Sequence, residues 1–97
     1  MMQSYNLLFG LMEALGRKWI SPLLIFLLLH DVTTFTKIKR HLGLTSRALS
    51  KKLKLLESLG FVEKIVIDNP RKLTYNLSEK GKKIAQMLLG FAAKFAN

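Results

Sequence analysis

Apolar residues recur at helical intervals along much of this chain, and the breaks in that rhythm mark out its elements. Over residues 3 to 15, Tyr5, Leu8, Leu11, Met12 and Leu15 share one side of a helix, and Gly16 is a stop signal. A second helix is expected over roughly 18 to 30. It is apolar on nearly every side, from Trp19 and Ile20 through Leu23 to Leu29, so it belongs in the middle of a fold. Pro22 fits there only within the first turn, where its missing N–H has no partner to lose. Asp31 to Thr34 forms a β-branched link with the composition of a short strand.

Phe35, Ile38 and Leu42 stand at i, i+3 and i+7, which predicts a short helix over 35 to 42, ended by Gly43. Leu44 leads into Thr45 or Ser46, either of which makes a good N-cap. The helix that follows runs from Ser46 to Leu59 and stops at Gly60. Two helices joined by a short glycine-containing turn are a helix-turn-helix. Phe61 to Ile67 has strand composition, Asp68-Asn69-Pro70-Arg71 has turn chemistry, and Leu73 to Leu77 alternates with period 2, so a β-hairpin is expected. Ser78 caps a final helix, with Glu79 favouring its dipole. Gly81 costs up to ~1 kcal/mol against Ala, so that helix is expected to firm up only after it. The order is helix, helix, short strand, helix, helix, hairpin, helix. It predicts an α+β winged helix-turn-helix.

The terminal helices, taken as 1–16 and 82–97, carry more apolar surface than one small domain can cover. In the last helix Ile84, Leu88, Phe91 and Phe95 form one stripe, and Ala85, Leu89, Ala92 and Ala96 the next. A two-fold homodimer is expected, with Tyr5, Leu8, Met12, Leu15, Trp19, Leu88, Phe91 and Phe95 in its interface. The alternative is that the two helices pack on each other within a monomer.

Composition narrows the function. Ninety-seven residues allow one small domain, residues 1–97. Apolar residues make up 49% and mean hydropathy is +0.21, which excludes a disordered tail. Yet 16 Lys and Arg stand against 6 Asp and Glu, a net charge of +10. A chain both greasy and basic must segregate the two, and the positive charge calls for a polyanion or a solvated face. Cysteine is absent, which excludes disulfides, thiolate metal sites and thiol chemistry, and two histidines exclude a histidine-rich metal site. The longest apolar run, Trp19 to Leu29, contains Pro22 and falls short of the ~18 residues a membrane span needs. The first 16 residues carry no Lys or Arg, so no secretory n-region is present. A cytoplasmic protein without membrane contact is expected.

The charge is uneven. From Lys37 to Lys54 there are seven basic residues and no acid. At ~100° per residue, Leu49, Leu53, Leu56 and Leu59 fall on one side of the 46–59 helix and Arg47, Ser50, Lys51 and Lys54 on the other. Lys52 lies near the apolar sector and would snorkel. Such a face suits the major groove of double-stranded DNA, where Arg and Lys reach guanine acceptors or phosphates and Ser reaches either. Lys37, Arg40, Thr45 and Ser46 are assigned to phosphates. Arg71 and Lys72, at the hairpin tip, are assigned to the minor groove or backbone, although Glu63 and Asp68 offset part of that charge. The bland alternative is a solvated basic face.

Other residues carry less. His30 ends a helix, where it suits the dipole, and His41 sits in the basic stretch. Trp19 reads as a core or interface anchor. The six glycines are scattered singly, so no phosphate loop forms, and no Ser/His/Asp spacing or carboxylate pair emerges. No cofactor, metal or enzyme activity is expected.

The residues also carry a resemblance. Leu15-Gly16-Arg17-Lys18-Trp19 resembles the Gly-x-Lys-Trp opening of the HxlR family, a branch of the MarR-like winged-helix regulators. Phe35-Thr36-Lys37-Ile38 is similar to its Phe-x-x-Leu. Leu44-Thr45-Ser46-Arg47-Ala48-Leu49 and the stretch Leu53 to Val62 resemble its recognition helix and the lead-in to its wing. Pro70 to Gly81 is similar to its Pro-x-x-Val-x-Tyr-x-Leu-Thr-x-x-Gly. The match spans about residues 15 to 90. It implies a homodimeric transcription regulator, paired through its first and last helices, on a pseudo-palindromic operator. Many relatives sense electrophiles or oxidants through a cysteine, and this chain has none. The short ends leave two expectations: a constitutive regulator, or a small-molecule effector bound between the dimer helices. Two other functions stay open on the residues alone: a non-specific architectural DNA-binding protein, and a module that recruits a different chain.

Overall fold

The apolar helix is the centre of the molecule. The computed structural model describes residues 2–68 and 70–94, with side chains from Asn6 onward. In α2 (Ile20–His30), Ile20, Leu23, Leu24 and Leu27 are at most 1% exposed. Around them the core collects Ile38 of α3 (Phe35–Leu42), Leu49, Leu53 and Leu56 of α4 (Ser46–Ser58), and Ala85 of α5 (Glu79–Lys94). α2 begins at Ile20, later than residue 18, because Trp19 takes a left-handed conformation (φ 73°) that ends the preceding turn. Such a backbone is strained for any residue but glycine, of order 1–3 kcal/mol. Pro22 is then the third residue of the helix, within its first turn as expected.

The sheet has three antiparallel strands, β1 (Thr33–Thr34), β2 (Val62–Ile67) and β3 (Lys72–Leu77), in the order β1-β3-β2. Thr33 pairs with Tyr75, Val62 with Leu77, and Ile67 with Lys72. β3, in the middle, buries Thr74, Tyr75 and Leu77. Burial raises the phenol pKa of Tyr75, and the Glu57 carboxylate adds to the effect. β2 buries only Val62, and its Ile65, Val66 and Ile67 stay exposed. These β-branched residues form a strand by propensity and by pairing with β3, not by burial. The hairpin therefore stands out from the body as a wing.

The last helix does not wait for Gly81. It begins at Glu79, because the Gly81 N–H donates to the Ser78 hydroxyl (3.0 Å), which itself donates to the Gly60 carbonyl (2.6 Å). α1 (Met2–Leu15) is different in kind. Among its described side chains only Ala14 is buried, while Leu7 is 76% and Met12 59% exposed. The radius of gyration, 14.1 Å, exceeds the ~13 Å of a compact chain this long. Among the described residues, no helix is long and apolar enough to cross a membrane.

Candidate nucleic-acid interface

The site is built outward from three leucines. Leu49, Leu53 and Leu56 are at most 1% exposed, and burying each is worth about 2 kcal/mol. That fixes the rotation of α4 and turns its opposite side to solvent. Arg47, Lys51 and Lys54 are exposed on that side, and Ser50 is half-buried beside them. Lys52 is half-buried, as its position near the apolar sector implies.

Thr45, not Ser46, is the N-cap of α4. Its hydroxyl oxygen accepts from the Ala48 N–H (3.1 Å). The hydroxyl proton stays available to a phosphate, and Ser46 stands exposed in the first turn. Thr34 caps α3 in the same way, accepting from the Lys37 N–H (3.2 Å). Neither helix has an acid in its first turn, so the positive end of each dipole is uncompensated. Gly43 closes α3 in a left-handed conformation (φ 66°), donating its N–H to Lys39 O (2.9 Å). That turn sets the angle between α3 and α4.

Lys37 and Arg40 are exposed on α3. Arg40 and Lys39 line a shallow cleft with Thr36, Gly43 and Leu44. Arg71 and Lys72 are exposed at the base of the hairpin turn and share a second cleft with Thr34, Phe35 and Thr36 at the start of α3. The wing and α3 thus meet, although nearly forty residues separate them in the chain. His30 donates through Nδ1 to Phe26 O (2.9 Å) and lies with its ring stacked on Phe26. Among the described residues no group of three or more potential ligands could hold a metal.

Arg17 and Lys18 lie outside the basic stretch from Lys37 to Lys54, and nothing local in the sequence marks them as part of the same site. The turn before α2 brings them beside Lys51 and Lys52. Of the residues assigned to a dimer interface, Leu8, Met12 and Phe91 are exposed, while Leu15 and Leu88 are half-buried against the core. Trp19 is half-buried, and the side chains of Tyr5 and Phe95 lie outside the described residues.

Helix-turn-helix, three-stranded sheet and projecting hairpin define a winged helix-turn-helix protein. Residues 14–96 match the family described as HxlR-like helix-turn-helix. The uncharacterized HTH-type transcriptional regulator YvaP of Bacillus subtilis (strain 168) is 37% identical over 86 residues, covering 87% of this chain and 78% of its own. The chain belongs to the HxlR-like helix-turn-helix family. It is therefore a transcriptional regulator of the helix-turn-helix DNA-binding class, and not an enzyme. Among solved structures, diamide-treated YodB of B. subtilis superposes with a TM-score of 0.73 at 28% identity, over 87% of this chain and 84% of that one. FabT of Streptococcus pneumoniae, solved in complex with DNA, superposes with a TM-score of 0.74 over 97% of this chain and 71% of that one. At 16% identity that likeness is one of fold alone.

Proposed function

We propose that this chain is a dimeric, sequence-specific regulator that binds double-stranded DNA as a single cytoplasmic domain. α4 enters the major groove, where Arg47, Ser50, Lys51 and Lys54 meet base edges and phosphates. Lys37, Arg40, Thr45 and Ser46 hold the flanking phosphates, and Arg71 and Lys72 reach the adjacent backbone or minor groove from the wing. The observation that carries this reading is the outward basic face of α4, held in place by three fully buried leucines. A protein of the same fold seen with DNA supports it.

The dimer rests on the terminal helices. Leu7, Leu8 and Met12 on α1 and Met87 and Leu89 on α5 are 40–76% exposed, and a second copy of the chain would cover them. Two-fold pairing would set two copies of α4 on half-sites about 34 Å apart, on a pseudo-palindromic operator.

Selection from a pool of random duplexes tests the reading. The selected sites should share two inverted half-sites one helical turn apart. A pool that stays random through repeated selection contradicts sequence-specific binding and favours a non-specific architectural protein, which the charge of +10 would also suit.

A further inference from the structure

Four basic side chains from distant parts of the sequence bound one cleft. Arg17 and Lys18 come from the turn between α1 and α2, and Lys51 and Lys52 from the middle of α4. Ile20 and Leu55 complete the lining of this space of about 210 Å³. The turn is built to put them there. Gly16 N–H closes α1 on Met12 O (2.9 Å), Arg17 N–H donates to Ala14 O (3.2 Å), and Ile20 N–H donates to Arg17 O (3.2 Å). Left-handed Trp19 then redirects the chain into α2.

The charge in this cleft is nearly uncompensated. The ion pair described for it joins Arg17 to Glu13 at 3.8 Å, with both side chains more than half exposed. A pair of that kind contributes little and is readily exchanged for another anion. Four like charges around one small space repel each other, and a polyanion relieves that repulsion. Lys51 belongs both to the cleft and to the outward face of α4, so the two surfaces are continuous.

We propose that the cleft seats a backbone phosphate on the flank of the groove that α4 enters. The α1–α2 turn is then a DNA contact in its own right, beside α4 and the wing, with Arg17 and Lys18 as its donors and Lys52 lining the same cleft. The proposal rests on the placement of α4 in the major groove.

The test is the salt dependence of binding to a random-sequence duplex and to a selected one, with the full chain. Each lost phosphate contact removes about 0.9 from the slope of log K against log salt. Arg17→Gln with Lys18→Gln should lower the slope by about 0.9 per bound protomer on both duplexes and leave their affinity ratio unchanged. Arg17→Lys with Lys18→Arg should restore the wild-type slope, which a merely structural role would not predict. A slope unchanged in the glutamine variant, while Lys51→Ala lowers it, overturns this proposal and leaves the α4 reading standing. A changed affinity ratio also overturns it, because the turn would then read bases. If neither variant moves the slope, the placement of α4 falls and this proposal with it.

Discussion

Gly81 lies against the main chain of Phe61 so closely that a β-carbon at position 81 would stand 2.9 Å from the Phe61 carbonyl carbon and overlap its oxygen. The same carbonyl accepts the Ser78 N–H (3.0 Å), which locks the end of the wing to the start of α5. Helix propensity alone favours Gly81→Ala by up to ~1 kcal/mol. Contact with rigid backbone reverses the sign. Gly81→Ala should destabilise the fold by about 1–3 kcal/mol, read as a lower urea midpoint at unchanged slope. A gain in stability would mean that α5 does not approach Phe61 this closely.

Thr33 presents the opposite case. It is 4% exposed opposite Tyr75, and its hydroxyl is buried without a hydrogen-bond partner among the described residues. Thr33→Val keeps the β-branched shape and removes that group. It should raise stability by about 1 kcal/mol. A loss on chemical denaturation would show that the hydroxyl is satisfied in solution.

On α4, Lys51→Ala and Lys54→Ala should each weaken DNA binding. A residue that reads a base should cost about 1–3 kcal/mol on the preferred site and relax specificity at one position. A residue that holds a phosphate should weaken all sequences alike and lower the salt slope by about one. Arg71→Ala and Lys72→Ala on the wing should follow the second pattern. Wild-type binding by both α4 variants would remove that helix from the interface.

Pairing through the terminal helices makes stability depend on concentration, since association favours the folded state by mass action. The melting temperature should rise with protein concentration, and Met12→Glu with Met87→Glu should abolish the rise. Both methionines are more than half exposed, so these changes disturb no core. Sedimentation should give a dimer for the wild type and a monomer for the double variant. A wild-type monomer at every concentration would contradict the assignment.

The fold was legible in the sequence where one physical signal dominated. The three-residue and four-residue spacing of Leu49, Leu53 and Leu56 set both the helix and its orientation, and the left-handed Gly43 and the Thr45 cap marked its approach. Legibility failed where backbone geometry or tertiary contact took over. Trp19 is an ordinary helix former by composition, and nothing local announces its left-handed turn, so the start of α2 shifted. The need for glycine at position 81 comes from Phe61, twenty residues away. The cleft of Arg17, Lys18, Lys51 and Lys52 was illegible for the same reason. Its one sequence signal was the Arg17-Lys18 pair just ahead of an apolar helix, and only packing brings that pair to α4.

Fluorescence anisotropy on two duplexes at two salt concentrations separates sequence-specific recognition of DNA from binding by charge alone. One duplex is the DNA upstream of the protein's own gene, because small regulators often control themselves. The other is a shuffled sequence of equal composition. Sequence-specific recognition gives a preference of ~10³ or more for the upstream duplex, and that preference survives the higher salt. Equal and steeply salt-dependent binding to both, with no enriched site from a random pool, would contradict it.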